Sequence, residues 1–253
     1  MKNHFIMAYA GNKRTEVQDL YEEIKDKLDG ITTIIEPFCG TSAFSYYVSL
    51  KHPGKFKYIL NDNNKYLIKL YQVMQNEEEL NKLIETFNKW VSDITKEKYD
   101  IIAKVDAFEN WAFIHKYYSI RAGLFPTTRK INPDFITKMK DAPIINFLRN
   151  ENIELVNDNA ILLVDQYKDD EHALIFLDPP YLNVCNDFYH DTKINIYEYL
   201  YKNKIGLYIS TVMLCLEDNW IIKLLFNGQI KKEYAKIYQG SKKKTTHLII
   251  TNY

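Results

Sequence analysis

The residues best suited to chemistry form the run Leu177-Asp178-Pro179-Pro180-Tyr181. The apolar segment before it predicts a buried strand, so Asp178 is expected at that strand's carboxyl end, where open α/β sheets bind ligands. Two successive prolines remove two N–H donors and can leave carbonyl groups facing a ligand. An aromatic amine is a poor nucleophile, but a carboxylate and a carbonyl can each accept a hydrogen bond from one of its two N–H groups and so activate it. The ring of Tyr181 could stack on the aromatic ring that bears the amine. The structural alternative is a strand that ends in a proline-rich turn.

Two further turns follow predicted strands. Residues 31–35 (ITTII) predict a buried strand that runs into EPFCG, where Gly40 would allow a close backbone approach and a helix would begin near Ser42. Residues 56–60 predict a second strand that ends at Asp62, whose carboxylate can accept both hydroxyls of a ribose. A plain β-turn and a helix cap are the alternatives, but the two loops together favour an adenosine-like ligand.

The elements that must position these residues alternate between strands and helices. Apolar positions at helical spacing predict helices over residues 63–104, and a further helix is expected over about 141–150, starting near Pro143. The irregular, aromatic and basic segment 113–133 is predicted to be a loop or small hairpin. The pattern indicates an α/β fold with a largely parallel sheet. The remaining predicted strands are 153–156, 174–177, 206–210, 229–235 and 246–252, the last two forming a hairpin.

Composition narrows the class of protein. The chain has 253 residues, of which 46% are hydrophobic, and its 33 basic and 33 acidic residues cancel, which counts mildly against a nucleic-acid binder without excluding a local basic patch. The three cysteines have neither disulfide nor zinc spacing, and His4, His115 and His190 lack metal spacing, so no metal is expected. With no signal peptide and no long apolar run, a soluble intracellular (cytoplasmic) protein that does not contact a membrane is expected.

Four segments together resemble the Dam-type, alpha-group adenine-specific DNA methyltransferases. LDPPY is similar to the catalytic motif of amino-methyltransferases, AYAGNKR at residues 8–14 resembles a Y-x-G-N/G-K motif, and IIEPFCGTSAFS at 34–45 resembles the first cofactor loop. HLIITNY at 247–253 resembles the closing strand. The order of the segments is that of the alpha group, and the resemblance covers most of the chain.

The resemblance implies a Rossmann-like class I methyltransferase, with a mostly parallel sheet ending in an antiparallel hairpin. The catalytic domain would comprise residues 1–62 and 151–253, and 63–150 would be an inserted, mainly helical target-recognition region. The implied reaction moves the methyl group of S-adenosylmethionine directly onto the exocyclic amine of an adenine flipped out of double-stranded DNA.

The resemblance also implies a set of site residues. The catalytic residues would be Asp178, Pro179, Pro180 and Tyr181, hereafter the DPPY motif. Three departures from the family pattern are Ser42, Thr211 and His247, which replace a frequent glycine, asparagine and glutamate. The residues implied to bind the cofactor are Tyr9, Gly11, Lys13, Glu36, Phe38, Gly40, Asp62, Asn159 and Asp178.

The DNA contacts are expected in two basic segments. The first lies where the family has its recognition hairpin and contains Arg121, Arg129 and Lys130 among aromatic residues; arginine can read guanine edges or bind phosphates. The second is a run at the tip of the predicted hairpin. Solvated loops are the alternative for both. The residues of the second run are Lys242, Lys243 and Lys244.

Two rival functions remain open at this point. DPPY-like motifs are similar to those of enzymes that methylate RNA or other amines, although the order of the segments and the HLIITNY ending favour DNA. A catalytically inactive nucleic-acid-binding subunit with the same fold is the other rival, against which the intact DPPY motif, Asp62 and Lys13 argue.

Overall fold

A seven-stranded sheet organises the computed structural model, which describes residues 4–7, 9, 12–121, 133–150, 152–181, 196–237 and 244–253, apart from the side chains of 118–121. The strand order is β3-β2-β1-β4-β5-β7-β6. Strands β1 to β5 pair in parallel, whereas β7 is antiparallel to both β5 and β6. The strands are β1 (Thr33–Glu36), β2 (Lys57–Asn61), β3 (Ile153–Val156), β4 (Ala173–Leu177), β5 (Thr211–Glu217), β6 (Ile230–Ile237) and β7 (Lys244–Thr251).

Successive residues of the central strands are buried on opposite faces of the sheet. In β1, Ile34 packs into one apolar cluster and Ile35 into the other, and in β4 Phe176 and Leu177 divide in the same way. A parallel sheet covered on both faces needs such continuous apolar runs rather than an alternating pattern. Such runs identified β1, β2 and β4 in the sequence. Six of the seven strands in the described residues were predicted to within a few residues, with β3 matching its predicted bounds.

Helices cover both faces of this sheet. Within the described residues, α9, α10 and α11 belong to the second cluster, whereas α2 and the helices between β2 and β3 pack into the first. The helices are α1 (Val17–Ile24), α2 (Ala43–Lys51), α3 (Lys65–Gln75), α4 (Glu77–Ser92), α5 (Lys96–Lys104), α6 (Phe108–Arg121), α7 (Asp134–Thr137), α8 (Ile144–Leu148), α9 (Ala160–Tyr167), α10 (Ile196–Asn203) and α11 (Trp220–Leu225); short 3₁₀ helices span Lys25–Lys27, Lys138–Asp141 and Ile205–Leu207.

The helical prediction for residues 63–104 is confirmed by α3, α4 and α5. Helix α3 begins after Asn64, whose side chain accepts hydrogen bonds from the amides of Tyr66 and Leu67 and so caps the helix. Its buried face includes Leu67, Leu70, Tyr71 and Met74, which are spaced three or four residues apart. Helices α3 to α8 share the core of the first sheet face, and their separate role in target recognition stays a prediction.

The strand predicted at 206–210 is wrong. Residues 205–207 form a 3₁₀ helix, and the fifth strand is instead Thr211–Glu217. The apolar residues that suggested a strand, Leu207 and Ile209, are 73% and 63% exposed. The carbonyls of Tyr208 and Ser210 accept hydrogen bonds from the side chain of Asn252 rather than from a strand ladder. The buried run of five residues that follows Thr211 is what fills the sheet.

The loop predicted over 113–133 is wrong for its first nine residues, which complete helix α6. The aromatic residues there are weak helix formers, but Phe113 and Tyr117, one turn apart, are both buried in the core. Packing therefore overrides the local composition. Residues 122–132 lie outside the described part of the chain.

The expected fold class is confirmed: the sheet is mostly parallel and ends in an antiparallel pair. Strand β1 is third in the order, with β2 and β3 on one side and β4, β5, β7 and β6 on the other. The chain runs outward from β1 through β2 to β3 and then returns to place β4 on the other side of β1. The strand order therefore changes direction between the neighbours β1 and β4. No helix in the described part of the chain is long and apolar enough to cross a membrane.

Candidate active site

The loops after β1 and β4 leave the same edge of the sheet. The two strands are parallel neighbours, but the chain continues from β1 towards β2 and from β4 towards β5. Loops that diverge in this way open a crevice at the carboxyl ends of the strands, the usual ligand site of such sheets. The EPFCG turn and the DPPY motif are both at this position, as the sequence predicted.

The turn after β1 has a strained backbone that is held by β2. Gly40 and Ser42 both have φ of 48°, in the left-handed region that costs a residue with a side chain about 1–2 kcal/mol. The Gly40 amide donates a 3.1 Å hydrogen bond to one carboxylate oxygen of Asp62, and the other oxygen accepts from the Asn64 amide at 2.9 Å. Burial raises the pKa of Asp62, although these two hydrogen bonds oppose the rise. Asp62 thus fixes the turn, and Asn64 rather than Asp62 caps α3.

Two tyrosines that lie far apart in sequence close around Gly40. The hydroxyl of Tyr71, on α3, donates a 2.5 Å hydrogen bond to the Gly40 carbonyl and lies 3.2 Å from the Ser42 hydroxyl. The ring of Tyr9 would lie 3.6 Å from a Cβ placed on Gly40, so Tyr9 lies beside the turn. Its predicted contact with a cofactor stays a prediction. Tyr71 lies within the helical stretch predicted over residues 63–104, but its contact with the turn was missed, because helical spacing does not indicate where a hydroxyl points.

Asn61 connects three strand ends and was missed in the sequence. Its amide donates to the carbonyls of Pro37 and Asp158, at 2.9 and 3.1 Å, and its side-chain oxygen accepts from the Asp158 amide at 2.9 Å. The ends of β1, β2 and β3 are therefore held together by one buried side chain. The only local signal was a polar residue at the end of an apolar strand.

Lys13 and Asp178 form the central ion pair of the site. The ammonium nitrogen lies 2.5 Å from a carboxylate oxygen, and the two side chains are 4% and 16% exposed. Burial is the largest single effect and would lower the pKa of Lys13, but the attraction of Asp178, its hydrogen bond and the further contributions of Cys215 and Glu16 together outweigh burial and raise that pKa above its ordinary value. Burial also raises the pKa of Asp178, and the Lys13 charge opposes this rise.

The remaining residues of the DPPY motif surround this ion pair. The Tyr181 hydroxyl donates to the second Asp178 oxygen at 3.4 Å, and the Lys13 nitrogen lies 5.2 Å from the centre of the Tyr181 ring. The Pro180 carbonyl accepts a 2.8 Å hydrogen bond from the hydroxyl of Tyr197 on α10. A carboxylate, a lysine charge and an aromatic ring thus lie within a few ångströms of one another.

A buried polar cluster lies behind the DPPY motif and was not predicted. Glu16, just before α1, accepts hydrogen bonds from the Tyr234 hydroxyl at 2.8 Å and the Lys236 ammonium at 2.6 Å. His247, on β7, is fully buried, with Nδ1 3.3 Å from the Tyr181 hydroxyl. Burial lowers the pKa of His247 to about 4, so its imidazole is neutral at pH 7.

Glu16, Cys215 and His247 bring three potential metal ligands within 4.8 Å of one another. However, the Glu16 carboxylate is already paired with Lys236, and the charge of Lys13 acts on the same cluster. Two cations beside the cluster disfavour a third, so these residues are best described as a satisfied ion-pair and hydrogen-bond network. The expectation that the protein needs no metal stays a prediction.

Three of the predicted cofactor residues have structural contacts of their own. Glu36 is buried at the end of β1, where its carboxyl group accepts from the Ser45 amide at 2.8 Å, and burial raises its pKa to about 8. Phe38 is half-buried against the second cluster. Asn159 caps α9 by accepting from the Ile161 amide at 2.9 Å. Their contacts with a cofactor stay predictions.

Several predicted residues fall where the structure gives little or nothing. Lys244 begins β7 and is exposed, and Arg121 ends α6 with its side chain outside the described part. Gly11, Arg129, Lys130, Lys242 and Lys243 also lie outside the described residues.

Comparisons with known proteins identify the family of this chain. The family model of the D12 class N6 adenine-specific DNA methyltransferases matches residues 9–205. The Type II methyltransferase M.CviBI of Paramecium bursaria Chlorella virus NC1A is 25% identical over 268 aligned positions, which cover 98% of this chain and 99% of that protein.

Among solved structures, a human methyltransferase 10 domain containing protein aligns with 94% of this chain and 82% of its own, at a TM-score of 0.42 and 8% identity, too distant to support an argument. The family match instead runs from Tyr9, whose ring lies beside the EPFCG turn, through that turn and the DPPY motif to Ile205, and so spans the loops that form the crevice. The chain therefore belongs to the D12 class of N6 adenine-specific DNA methyltransferases.

Proposed function

We propose that this DNA adenine methyltransferase transfers the methyl group of S-adenosylmethionine directly to the exocyclic amine of an adenine flipped out of duplex DNA. The observation that carries the proposal is the position of Asp178 at the end of β4, paired with Lys13 and adjoined by the Tyr181 ring. An acceptor beside a flat stacking surface suits a flipped base with an amine at its edge.

The residues around the EPFCG turn fit an adenosyl group. Asp62 directly follows β2. Each of its carboxylate oxygens accepts one hydrogen bond from a backbone amide and keeps a lone pair for a ribose hydroxyl. Gly40 has no side chain, which leaves its backbone open to close approach beside the Tyr9 ring. When bound, S-adenosylmethionine would supply an electrophilic methyl group on a sulfonium.

The chain's own residues would act mainly by position and charge. Asp178 accepts a hydrogen bond from the target amine. This contact localises the lone pair on the amine nitrogen and makes that nitrogen a better nucleophile. The Pro179 carbonyl is the natural acceptor for the second hydrogen, because Tyr197 already donates to the Pro180 carbonyl. Lys13 holds the Asp178 carboxylate in its ionised, accepting form, and Tyr181 replaces the stacking that the base loses, worth about 1–3 kcal/mol.

The DNA-contacting surface is assigned to the helical region 63–150 and the lysines at 242–244. Helix α3 reaches the site through Tyr71, and Lys116 on α6 donates a 2.8 Å hydrogen bond to the Ile6 carbonyl near the amino terminus. The recognition region is therefore joined to the chemistry through buried contacts. Methylation of a randomised duplex library tests the assignment of Arg121: Arg121→Ala should relax the preference at one base.

Incorporation of labelled methyl groups from S-adenosylmethionine tests the proposal. Wild-type protein should label duplex DNA at adenine, label RNA far less, and increase 2-aminopurine fluorescence when that base replaces the target adenine. Asp178→Asn should lose nearly all turnover while duplex affinity changes little, because the contact matters mainly in the transition state. Asp93→Asn, which alters an exposed ion pair with Lys98, is the matched control and should keep full activity.

Each contrary result has a distinct meaning. Preferential labelling of RNA would favour an RNA methyltransferase, and duplex binding without labelling would favour an inactive binding subunit. The similarity to a Type II methyltransferase further supports methylation at one fixed sequence, in the manner of a restriction-modification system. Sequencing that detects methylated adenine in DNA from cells expressing the chain would show whether one sequence dominates.

A further inference from the structure

The buried face of Tyr181 makes a contact that the proposed reaction does not by itself require. The His247 ring meets the Tyr181 ring edge to face, with centroids 5.2 Å apart and planes at 82°. Its Nδ1 lies 3.3 Å from the Tyr181 hydroxyl, which in turn lies 3.4 Å from Asp178. A chain of polar atoms thus runs from β7 to the carboxylate at the centre of the site.

The direction of each hydrogen bond follows from the donors and acceptors present. An ionised Asp178 only accepts, so the Tyr181 hydroxyl donates its one proton there and must accept from His247. Nδ1 of His247 therefore carries a proton. The same nitrogen lies 3.6 Å from a Glu16 oxygen, a second acceptor, which independently favours a proton on Nδ1.

The other side of the ring agrees with this assignment. His247 is neutral because burial and the nearby charges of Lys236 and Lys13 outweigh the opposing effect of Glu16. A neutral imidazole with Nδ1 protonated has an unprotonated Nε2, which must accept. Nε2 lies 3.1 Å from the hydroxyl of Thr245, which can donate.

We propose that His247 is a positioning residue for the reaction: its Nδ1–H holds the Tyr181 hydroxyl, and Tyr181 passes that constraint to Asp178. This inference rests on the proposed function. The stacking ring and the accepting carboxylate are thereby fixed relative to each other from the buried side, before a base enters. Glu16 keeps His247 in the donating tautomer and is itself held by Tyr234 and Lys236.

A double-mutant cycle tests the proposal. His247→Leu should lower kcat about five- to tenfold, as expected for one lost hydrogen bond, with little change in KM for S-adenosylmethionine. In a Tyr181→Phe background, which lacks the hydroxyl, the same substitution should change kcat less than twofold. A merely structural role would lower kcat by the same factor in both backgrounds, and that result would overturn the proposal.

Two amide substitutions form a matched pair that separates the two ring nitrogens. His247→Asn places an amide donor near the position of Nδ1 and should keep most of the activity, whereas His247→Gln reaches towards Thr245 and should resemble His247→Leu. The opposite order would overturn the assignment. Melting temperatures of all variants identify any that fail to fold. Tyr181→Phe alone measures how much the Tyr181 hydroxyl contributes to kcat while His247 and the rest of the core are unchanged.

A readout independent of activity separates this inference from the proposed function. Two-bond ¹H–¹⁵N correlation spectra, assigned by the signal that His247→Asn removes, should show Nδ1 protonated and Nε2 bare, with Nδ1 shifting in Tyr181→Phe. A proton on Nε2 would overturn the hydrogen-bond chain. Failure of the wild-type protein to methylate DNA would overturn the proposed function. If the wild type is active but His247→Leu lowers kcat equally in the wild-type and Tyr181→Phe backgrounds, only the role of His247 is overturned.

Discussion

Replacing Lys13 by methionine removes the charge that faces Asp178 while keeping a side chain of similar length. At 2.5 Å and an effective dielectric constant of about 20, the attraction between the two charges is about 7 kcal/mol before desolvation is counted. Breaking one side of a buried ion pair typically costs about 3–5 kcal/mol. The loss in the free energy of unfolding should therefore be several kcal/mol, well above that of a surface pair.

Proton uptake by Asp178 limits this loss and makes it depend on pH. Protonating a carboxyl group with an ordinary pKa of 3.8 costs about 4 kcal/mol at pH 7 and about 2 kcal/mol at pH 5.5. In Lys13→Met the folded-state pKa of Asp178 is raised further above its unfolded value. The folded variant then binds a proton that the unfolded chain lacks, so its stability falls as pH rises through that range. The cost should be about 3–4 kcal/mol at pH 7 and at most about 2 kcal/mol at pH 5.5.

Urea unfolding at the two pH values, followed by tryptophan fluorescence, measures these differences. The double variant Lys13→Met/Asp178→Asn should recover most of the loss, because no unpaired charge remains. Lys232→Met, which breaks partly exposed ion pairs with Asp19 and Glu23, is the control and should cost less than about 1 kcal/mol. A loss below about 1 kcal/mol for Lys13→Met, or the same loss at both pH values, would refute the reasoning.

Three further outcomes are expected. Tyr181→Phe should lower kcat about five- to tenfold, as His247→Leu does, because both break the same hydrogen-bond chain, whereas Tyr181→Ala should lose much more; equal losses for Tyr181→Phe and Tyr181→Ala in steady-state assays would contradict the stacking role. Gly40→Ala, at φ 48°, should weaken binding of S-adenosylmethionine in calorimetry, whereas Gly54→Ala, at φ 70° with nothing within 4 Å, should lower only the melting temperature. The pKa of Glu36 is raised to about 8 from 4.5, so the folded state holds its proton and stability declines as pH rises between those values. Relative to Glu36→Gln, the wild type should lose about 1.4 kcal/mol per pH unit from 5.5 to 7.5 in urea titrations, and parallel curves would show that Glu36 is already ionised.

The structure gives each part of the site a support that ends in the core. The EPFCG turn is held by Asp62 from β2 and by Tyr71 from α3, and the Asp178 carboxylate is held by Lys13 and Tyr181. These supports come from separate elements, both in the sheet and in the helices between β2 and β3. Such preorganisation is what a reaction driven by position and charge requires, since no reorganisation then has to accompany the chemical step.

Local sequence determined the features that depend on neighbours along the chain. The continuous apolar runs of β1 and β4 identified buried strands, and with them the position of Asp178 and the EPFCG turn at one edge of the sheet. The helical spacing of Leu67 and Leu70 identified the buried face of α3. Burial of this kind produces a pattern of apolar residues that repeats every few positions, so it can be recognised from the sequence without the rest of the fold.

Only the tertiary structure determined which polar groups meet. Lys13 and Asp178 are 165 residues apart, and Glu16 and Tyr234 are 218 apart, so no periodic pattern joins them. The same cause explains the two errors. Helix α6 forms because Phe113 and Tyr117 are buried, whereas residues 206–210 stay out of the sheet: Leu207 and Ile209 are exposed, and the Asn252 side chain binds the carbonyls of Tyr208 and Ser210. The three-dimensional path of the chain determines which groups a polar side chain meets. Local sequence shows only that the side chain is able to form a hydrogen bond or an ion pair.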